Sequence, residues 1–317
     1  MRRSNTLAVC CLGAAGVAFA QVGAPQLGWV PDGARIRPVY GIPAAAAVGV
    51  PIPADQDFSQ IAASPARNYV LVSAADTGTV SIYTTEHGLV AVNGASGAPD
   101  LVVLSPRGSA AALWFSSLNQ VQVITGLPNA PTIRQLDASL LGSAPAALAV
   151  SDDGTWLVGV GPGDVYAFGP SSEVNRLPVE NVVALVFFQG THNLAAASAA
   201  GLQTMTGIES FAVVSNLLTS ADSSLQPVAI AATFDNRTLV LADQSGSVTA
   251  IDIASGAATT SDCGCQPLGL FGMGPSAFRL TGLESGAFKL LDATSGEILF
   301  VPLALAEAEG PAQGAAQ

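Results

Sequence analysis

The chain has 317 residues, of which 50% are apolar, 11% charged and 6% aromatic, with 33 Gly and 20 Pro. Eleven Lys and Arg against twenty-three Asp and Glu leave a formal net charge of −12. A chain so apolar and sparsely charged folds around a core. Its acidic balance argues against a nucleic-acid partner, which needs clustered Lys and Arg.

Residues 1–20 read as a cleavable secretory signal. Arg2 and Arg3 form the basic start, Leu7 to Val17 the apolar stretch, and Ala18-Phe19-Ala20 the small-residue cleavage site before Gln21. The apolar run falls short of the roughly 20 residues of a membrane span. The residues before Cys10 and Cys11 depart from a lipoprotein cleavage motif. No later stretch is long and apolar enough to span, so no membrane span is expected after cleavage. The expected product is exported, periplasmic or extracellular, and losing Arg2 and Arg3 takes its net charge from −12 to −14. Cleavage leaves Cys263 and Cys265 as the remaining thiols. Around Gly264 they can close a small disulfide in an oxidising compartment. Free thiols and a metal site stay open, although a metal needs two further ligands and His87 and His192 lie far off in sequence.

Along the rest of the chain one pattern returns: an apolar run, a turn, a second run, a Gly-containing turn and a third run. Residues 60–84, QIAASPARNYVLVSAADTGTVSIYT, and 227–254, PVAIAATFDNRTLVLADQSGSVTAIDIA, show it most clearly. Aligned on the residue opening the first turn, the copies sit at Ser64, Ser105, Ser151, Phe188, Phe234 and Met273, in steps of 41, 46, 37, 46 and 39 residues. The runs are short, rich in Val, Leu, Ile and Ala, and bounded by Gly, Asp, Ser or Pro, which is the punctuation of strands. Four short strands per repeat of about forty residues indicate a β-propeller blade. Residues 27–42 fit a first, abbreviated copy with its turn at Val30, and Ala44 to Pro53 supply a third strand. The expectation is an all-β, seven-bladed propeller over residues 21–306, with six blades as the alternative, followed by a disordered low-complexity tail over 307–317.

"YVLVSAADTGTVSIYT" and "TLVLADQSGSVTAIDIASG" resemble the blades of YVTN-type bacterial propellers, relatives of the WD-repeat class. The resemblance implies a scaffold that binds partners in some members and catalyses reactions in others. The Gly-His and Trp-Asp dipeptides of WD repeats are absent.

Residues able to carry chemistry have structural alternatives. Asp152-Asp153-Gly154 and Asp235-Asn236 lack the alternating oxygen ligands of an EF-hand and fit turns that bond their own backbone. Trp114 and Trp156 fall where blade packing buries aromatics. No nucleophile elbow, phosphate-binding loop, dinucleotide fingerprint or zinc-peptidase motif occurs, so no cofactor is expected. Topology adds one inference. Second–third turns and blade-to-blade connections share one face, and eleven acidic residues fall there, including Asp76, Asp164, Asp243 and Glu284. No Arg, Lys or His falls in those segments, whereas Arg67, Arg107, Arg237, His87 and His192 fall on the opposite face. The four named carboxylates are therefore the candidate ligand-binding set, suited to a cationic partner.

These readings predict a non-catalytic, monomeric, exported propeller that binds a protein or polymer. The alternative is a carboxylate-dependent polysaccharide hydrolase or lyase on the same scaffold.

Overall fold

The computed structural model describes residues 25–220, 224–283 and 286–304. The signal-like segment, the low-complexity tail, Asp222 and Glu284 lie outside them. The chain forms a seven-bladed β-propeller of antiparallel sheets, six with four strands and the first with three. Among the described residues, helical structure is limited to three 3-10 turns.

Blade packing accounts for the sequence pattern. Second strands such as Val70–Ala74, Ala110–Phe115 and Leu157–Val160 are buried at every residue, because neighbouring blades cover both faces. They therefore read as unbroken apolar runs instead of alternating ones. Outer strands such as Val174–Leu177 and Ala258–Asp262 are largely solvated and carry Asn, Arg, Thr and Asp. Trp114 and Trp156 are buried between blades, so both are core residues.

Each first turn is opened by a residue whose N–H bonds back to the returning strand. Ser64 donates to Tyr69 O, Ser105 to Ala110 O, Ser151 to Trp156 O, Phe188 to Asn193 O and Met273 to Ala277 O. In the sixth blade Thr233 does this, donating to Thr238 O, one residue before the Phe234 of the sequence alignment. The hydroxyl is the reason. Buried Ser105, Ser151 and Thr233 accept the N–H of Ala110, Trp156 and Thr238 on their side-chain oxygens, which satisfies donors that burial would otherwise leave unpaired.

The first blade consists of Gln26–Asp32, Arg35–Tyr40 and Ala47–Val48. Val30 lies inside the first of these strands, and the turn falls at Gly33-Ala34, with Gly33 at φ 57°. Gln26–Asp32 begins beside the first turns of its neighbours: a Cβ on Gly28 would lie 3.2 Å from Met273 and 3.8 Å from Arg67. It ends at the opposite face, where Phe58 N donates to Ala34 O. That direction belongs to a second strand, so the position without a strand among the described residues is the innermost one. Ile52 N donates to Ile36 O, so Ile36 faces outward and its cross-strand partner Pro31 faces the open inner edge. Proline suits that edge, having no N–H to leave unpaired.

Among the described residues six inner strands consequently surround the axis: Phe58–Ala63, Leu101–Leu104, Leu148–Val150, Val182–Phe187, Pro227–Ala232 and the two-residue Phe271–Gly272. The circle closes at its rim, where Leu303 runs parallel to Val48 and Ala304 N donates to Val48 O.

Leu157 is fully buried between the third and fourth blades. Leu157→Ala should destabilise the protein by about 2–5 kcal/mol, whereas Val90→Ala, at an exposed outer position, should change stability by less than about 0.5 kcal/mol. Chemical denaturation followed by tryptophan fluorescence checks the contrast.

Candidate functional site

A concavity of about 910 Å³ opens at the centre of the face that carries the first–second turns. Its wall comes from turns of five blades and includes Asn68, Arg107, Gln189, Asp235, Arg237 and Ser276. The volume lies in the range of ligand pockets.

Hydrogen bonds between blades hold these turns in register. Tyr69 Oη, buried in the second blade, donates to Gly108 O of the third at 2.6 Å. Asp152 of the fourth blade accepts Arg107 N–H on one oxygen and Gly190 N–H on the other, each at 2.7 Å. Gln189 and Asn236 join the fifth and sixth blades reciprocally: Gln189 N donates to Asn236 Oδ1 at 2.8 Å, and Asn236 Nδ2 to Gln189 O at 2.9 Å. Phe234 N donates to Pro275 O and reaches the seventh blade. The buried Gln189 amide, oriented by its partners, donates to Phe234 O and accepts from Arg107 Nε at 2.7 Å. The mouth is thus built before any ligand arrives.

The carboxylates at the mouth serve the turns. Asp235 accepts from the Thr233 hydroxyl and from Arg237 N–H, and these bonds hold it below the usual carboxylate range. Asp252 accepts the hydroxyl and N–H of Ser255 and is lowered by the same kind of contact.

Beside the mouth, a smaller cleft of about 290 Å³ is lined by Arg107, Asp152, Asp153 and His192. The His192 ring is held from both sides. Nε2 meets Asp153 Oδ2 at 2.9 Å and Nδ1 meets Glu209 Oε1, while Thr155 Oγ1 lies 3.2 Å from Nε2. Partial burial works to lower the His192 pKa, but the bonds to Glu209 and Asp153 outweigh it and raise the value above that of free imidazole. Burial works to raise Asp153, yet bonds from Ser151, Thr155 and His192 hold it well below the carboxylate range. The two carboxylates sit on opposite edges of the ring and do not converge on a common point. Among the described residues, no group of three His, Cys, Asp or Glu side chains is placed to hold a metal.

The acidic set named from the sequence lies elsewhere. Asp76, Asp164 and Asp243 sit in the second–third turns of the second, fourth and sixth blades, on the opposite face; Glu284 lies outside the described residues. Asp76 is exposed and accepts Thr77 N–H. Asp164 is ion-paired with Arg176 and accepts from Tyr166 Oη. Buried Asp243 accepts the N–H groups of Gln226 and Ser245, at 2.6 and 2.9 Å. The face is also not free of cations. Arg176 reaches it from an outer strand, Arg35 lies beside the first blade's turn 3.9 Å from Asp57, and Lys289 Nζ donates to Cys263 O and Gly264 O. The segments contained no cation, but the strands beside them supply three. Cys263 and Cys265 are joined in a disulfide.

No protein-family model matches the chain, and no curated protein matches it. Solved structures do share its fold. Apo AztD from Citrobacter koseri is 10% identical with a TM-score of 0.58, over 87% of this chain and 81% of that one. A functionally unknown protein from Desulfotomaculum acetoxidans is 14% identical with a TM-score of 0.57, over 86% and 94%. A streptogramin B lyase is 12% identical with a TM-score of 0.53, over 76% and 82%. At these identities the likeness shows the fold alone, the β-propeller.

The His192 cluster makes a pH-dependent contribution of definite sign. Because the folded-state pKa of His192 is raised, its stabilisation is complete below the free imidazole value of about 6.5 and is lost as pH rises through the folded value. Asp153, lowered, loses its stabilisation only as pH falls below the free carboxylate range. His192→Gln should therefore lower Tm most near pH 5–6 and least above neutrality. For partly exposed pairs the effect should be about 1 kcal/mol or less, or roughly 2 °C or less. Thermal melts of both proteins across that pH range check it.

Proposed function

We propose that the protein is a non-catalytic binding propeller of the YVTN-like kind, and that its ligand enters the mouth on the first-turn face. The observation that carries the reading is the mouth itself: a cavity of about 910 Å³ whose turns are hydrogen-bonded across blades. Such a preformed wall lowers the ordering cost of binding. The occupant is a small molecule or the group that a protein or polymer partner presents.

The competing reading, a two-carboxylate hydrolase or lyase, needs one acid kept neutral to protonate a leaving group. Asp235 and Asp252 are both lowered and therefore ionised near neutrality. Each gives its Oδ1 to two turn donors, Thr233 Oγ1 and Arg237 N–H on Asp235 and the hydroxyl and N–H of Ser255 on Asp252, and neither is kept neutral, which supports binding without turnover.

A thermal-shift screen of metabolites, oligosaccharides and short peptides tests the reading. Hits should lose their stabilising effect in Thr294→Trp, which places a bulky ring at the exposed rim of the mouth, and should be recovered unchanged by NMR. Hits indifferent to Thr294→Trp, or converted to product, would overturn it.

We infer further that the protein is exported, from the basic start, apolar stretch and Ala18-Phe19-Ala20 site. Intact-mass analysis of protein recovered from outside the cytoplasm should give a chain beginning at or near Gln21. A mass retaining Arg2 and Arg3 would refute cleavage.

A further inference from the structure

The cations of this chain divide sharply by whether the fold has already used them. Arg2 and Arg3 lie outside the described residues, and nine Lys and Arg remain. Arg35, Arg37 and Arg176 face Asp57, Asp32 and Asp164. Arg134 donates to the carbonyls of Gly154, Thr155 and Gly169. Arg279 is buried, donates to Thr281 O and lies over the Phe271 ring at 4.0 Å; burial lowers its pKa to about 10. Lys289 caps the carbonyls of Cys263 and Gly264.

The three left over are Arg67, Arg107 and Arg237. No carboxylate among the described residues reaches ion-pair distance of any of them, and all three are exposed. All three come from first–second turns on the same face. Arg107 and Arg237 line the mouth. Arg67 lies at its rim, packed over Gly274: a Cβ there would meet the guanidinium at 3.4–3.5 Å. Asp235 and Asp252 feel the Arg237 charge, but each commits its Oδ1 to turn donors (Thr233 and the Arg237 backbone N–H, and Ser255), and neither comes within ion-pair distance of the guanidinium. Gln189 takes only Nε of Arg107, which fixes the side chain and leaves both terminal amino groups open.

Arg67 carries a second mark. It has φ 65°, the left-handed region, in the place where the corresponding turns of three other blades have Gly108, Gly154 and Asn236. Those residues tolerate that backbone readily, and arginine does not. Stability alone favours glycine at position 67.

Resting on the reading of the mouth as a binding site, we propose that its ligand is a compact small-molecule anion carrying two or more carboxylate or phosphate groups. Guanidinium forks match such groups geometrically. Three of them around one cavity suit a multiply charged occupant. Compactness follows from the rest of the surface: with a net charge of −12, the molecule repels a long polyanion everywhere except at this mouth.

Citrate serves as the probe, by isothermal titration calorimetry at low and physiological salt. One site is expected, weakening as salt rises. Arg107→Gln, Arg237→Gln and Arg67→Gly should each weaken binding about tenfold or more. Arg67→Gly should keep or raise Tm, a combination that a purely structural role for Arg67 would not give. Arg176→Gln removes an equal charge from the opposite face and should leave citrate binding unchanged. Equal binding of uncharged triethyl citrate, or equal weakening by Arg176→Gln, overturns the anion assignment. A Glu-rich peptide that binds where citrate does not overturns compactness. If citrate fails while an uncharged ligand is lost in Thr294→Trp, the anion assignment falls and the mouth stands. If citrate binding survives Thr294→Trp, the mouth itself is wrong.

Discussion

A propeller has to close a circle, and here no covalent bond joins its ends. Every blade buries its faces against two neighbours, so a gap anywhere exposes two apolar surfaces at once. Among the described residues the closing contacts between the seventh and first blades include a parallel bridge, Val48 with Leu303, the bond from Ala304 N to Val48 O, and a mixed cluster including Leu27, Val39, Phe288 and Val301. The hydrogen-bonded turns do on one face what the outer strands do at the rim. Asp152 illustrates the logic: one carboxylate binds backbone N–H groups from the blades on either side. Charge-assisted bonds to backbone donors are stronger than neutral ones, so the turns are fixed relative to one another and not only within their own blades.

The sequence revealed the repeats because strand and turn chemistry are local. Buried hydroxyls at Ser105 and Ser151, followed by glycine at the left-handed position, recur at readable intervals. Where the hydroxyl is threonine and an aromatic follows, as at Thr233-Phe234, the eye settles one residue late. The first blade misled for a different reason. Periodicity reports that a segment is a strand, but not which strand of a blade it is; that depends on direction relative to the neighbours. Gln26–Asp32 looks like any apolar strand, and only its contacts with Met273, Arg67 and Phe58 identify it as a second one.

The candidate site was harder to read, because it is defined by what is left unpaired. Counting charges by segment set eleven acids against no base on one face. Pairing does not respect segments: Arg176 reaches Asp164 from twelve residues away across a strand pair, and Asp243 is turned inward to hold Gln226 and Ser245. The opposite face has fewer charges, yet three of its guanidiniums have no carboxylate at ion-pair distance among the described residues. Coulomb energy between paired groups is already used by the fold, so a ligand responds to the residual field. Net charge bears on solubility and steering, and the location of unpaired charge bears on recognition.

That the described residues place no inner strand in the first blade bears on what lies beneath the mouth. With six inner strands around the axis, the space below narrows to a cavity of about 180 Å³ lined by Val150, Leu185, Phe187, Ile230 and Ala232. Phe234 lines both this throat and the mouth above it, so its ring stands at the boundary between them. No charged side chain lines this throat, so an ion moved down from the rim would give up hydration and the arginines with no countercharge in return, at a cost of several kcal/mol. For an ion the mouth therefore behaves as a cup with a narrow, uncharged floor and not as the entrance to a channel. A charged ligand is held at the level of the turns, where the arginines are, and it leaves by the way it came. The uncharged throat beneath the turns thus keeps recognition on a single face.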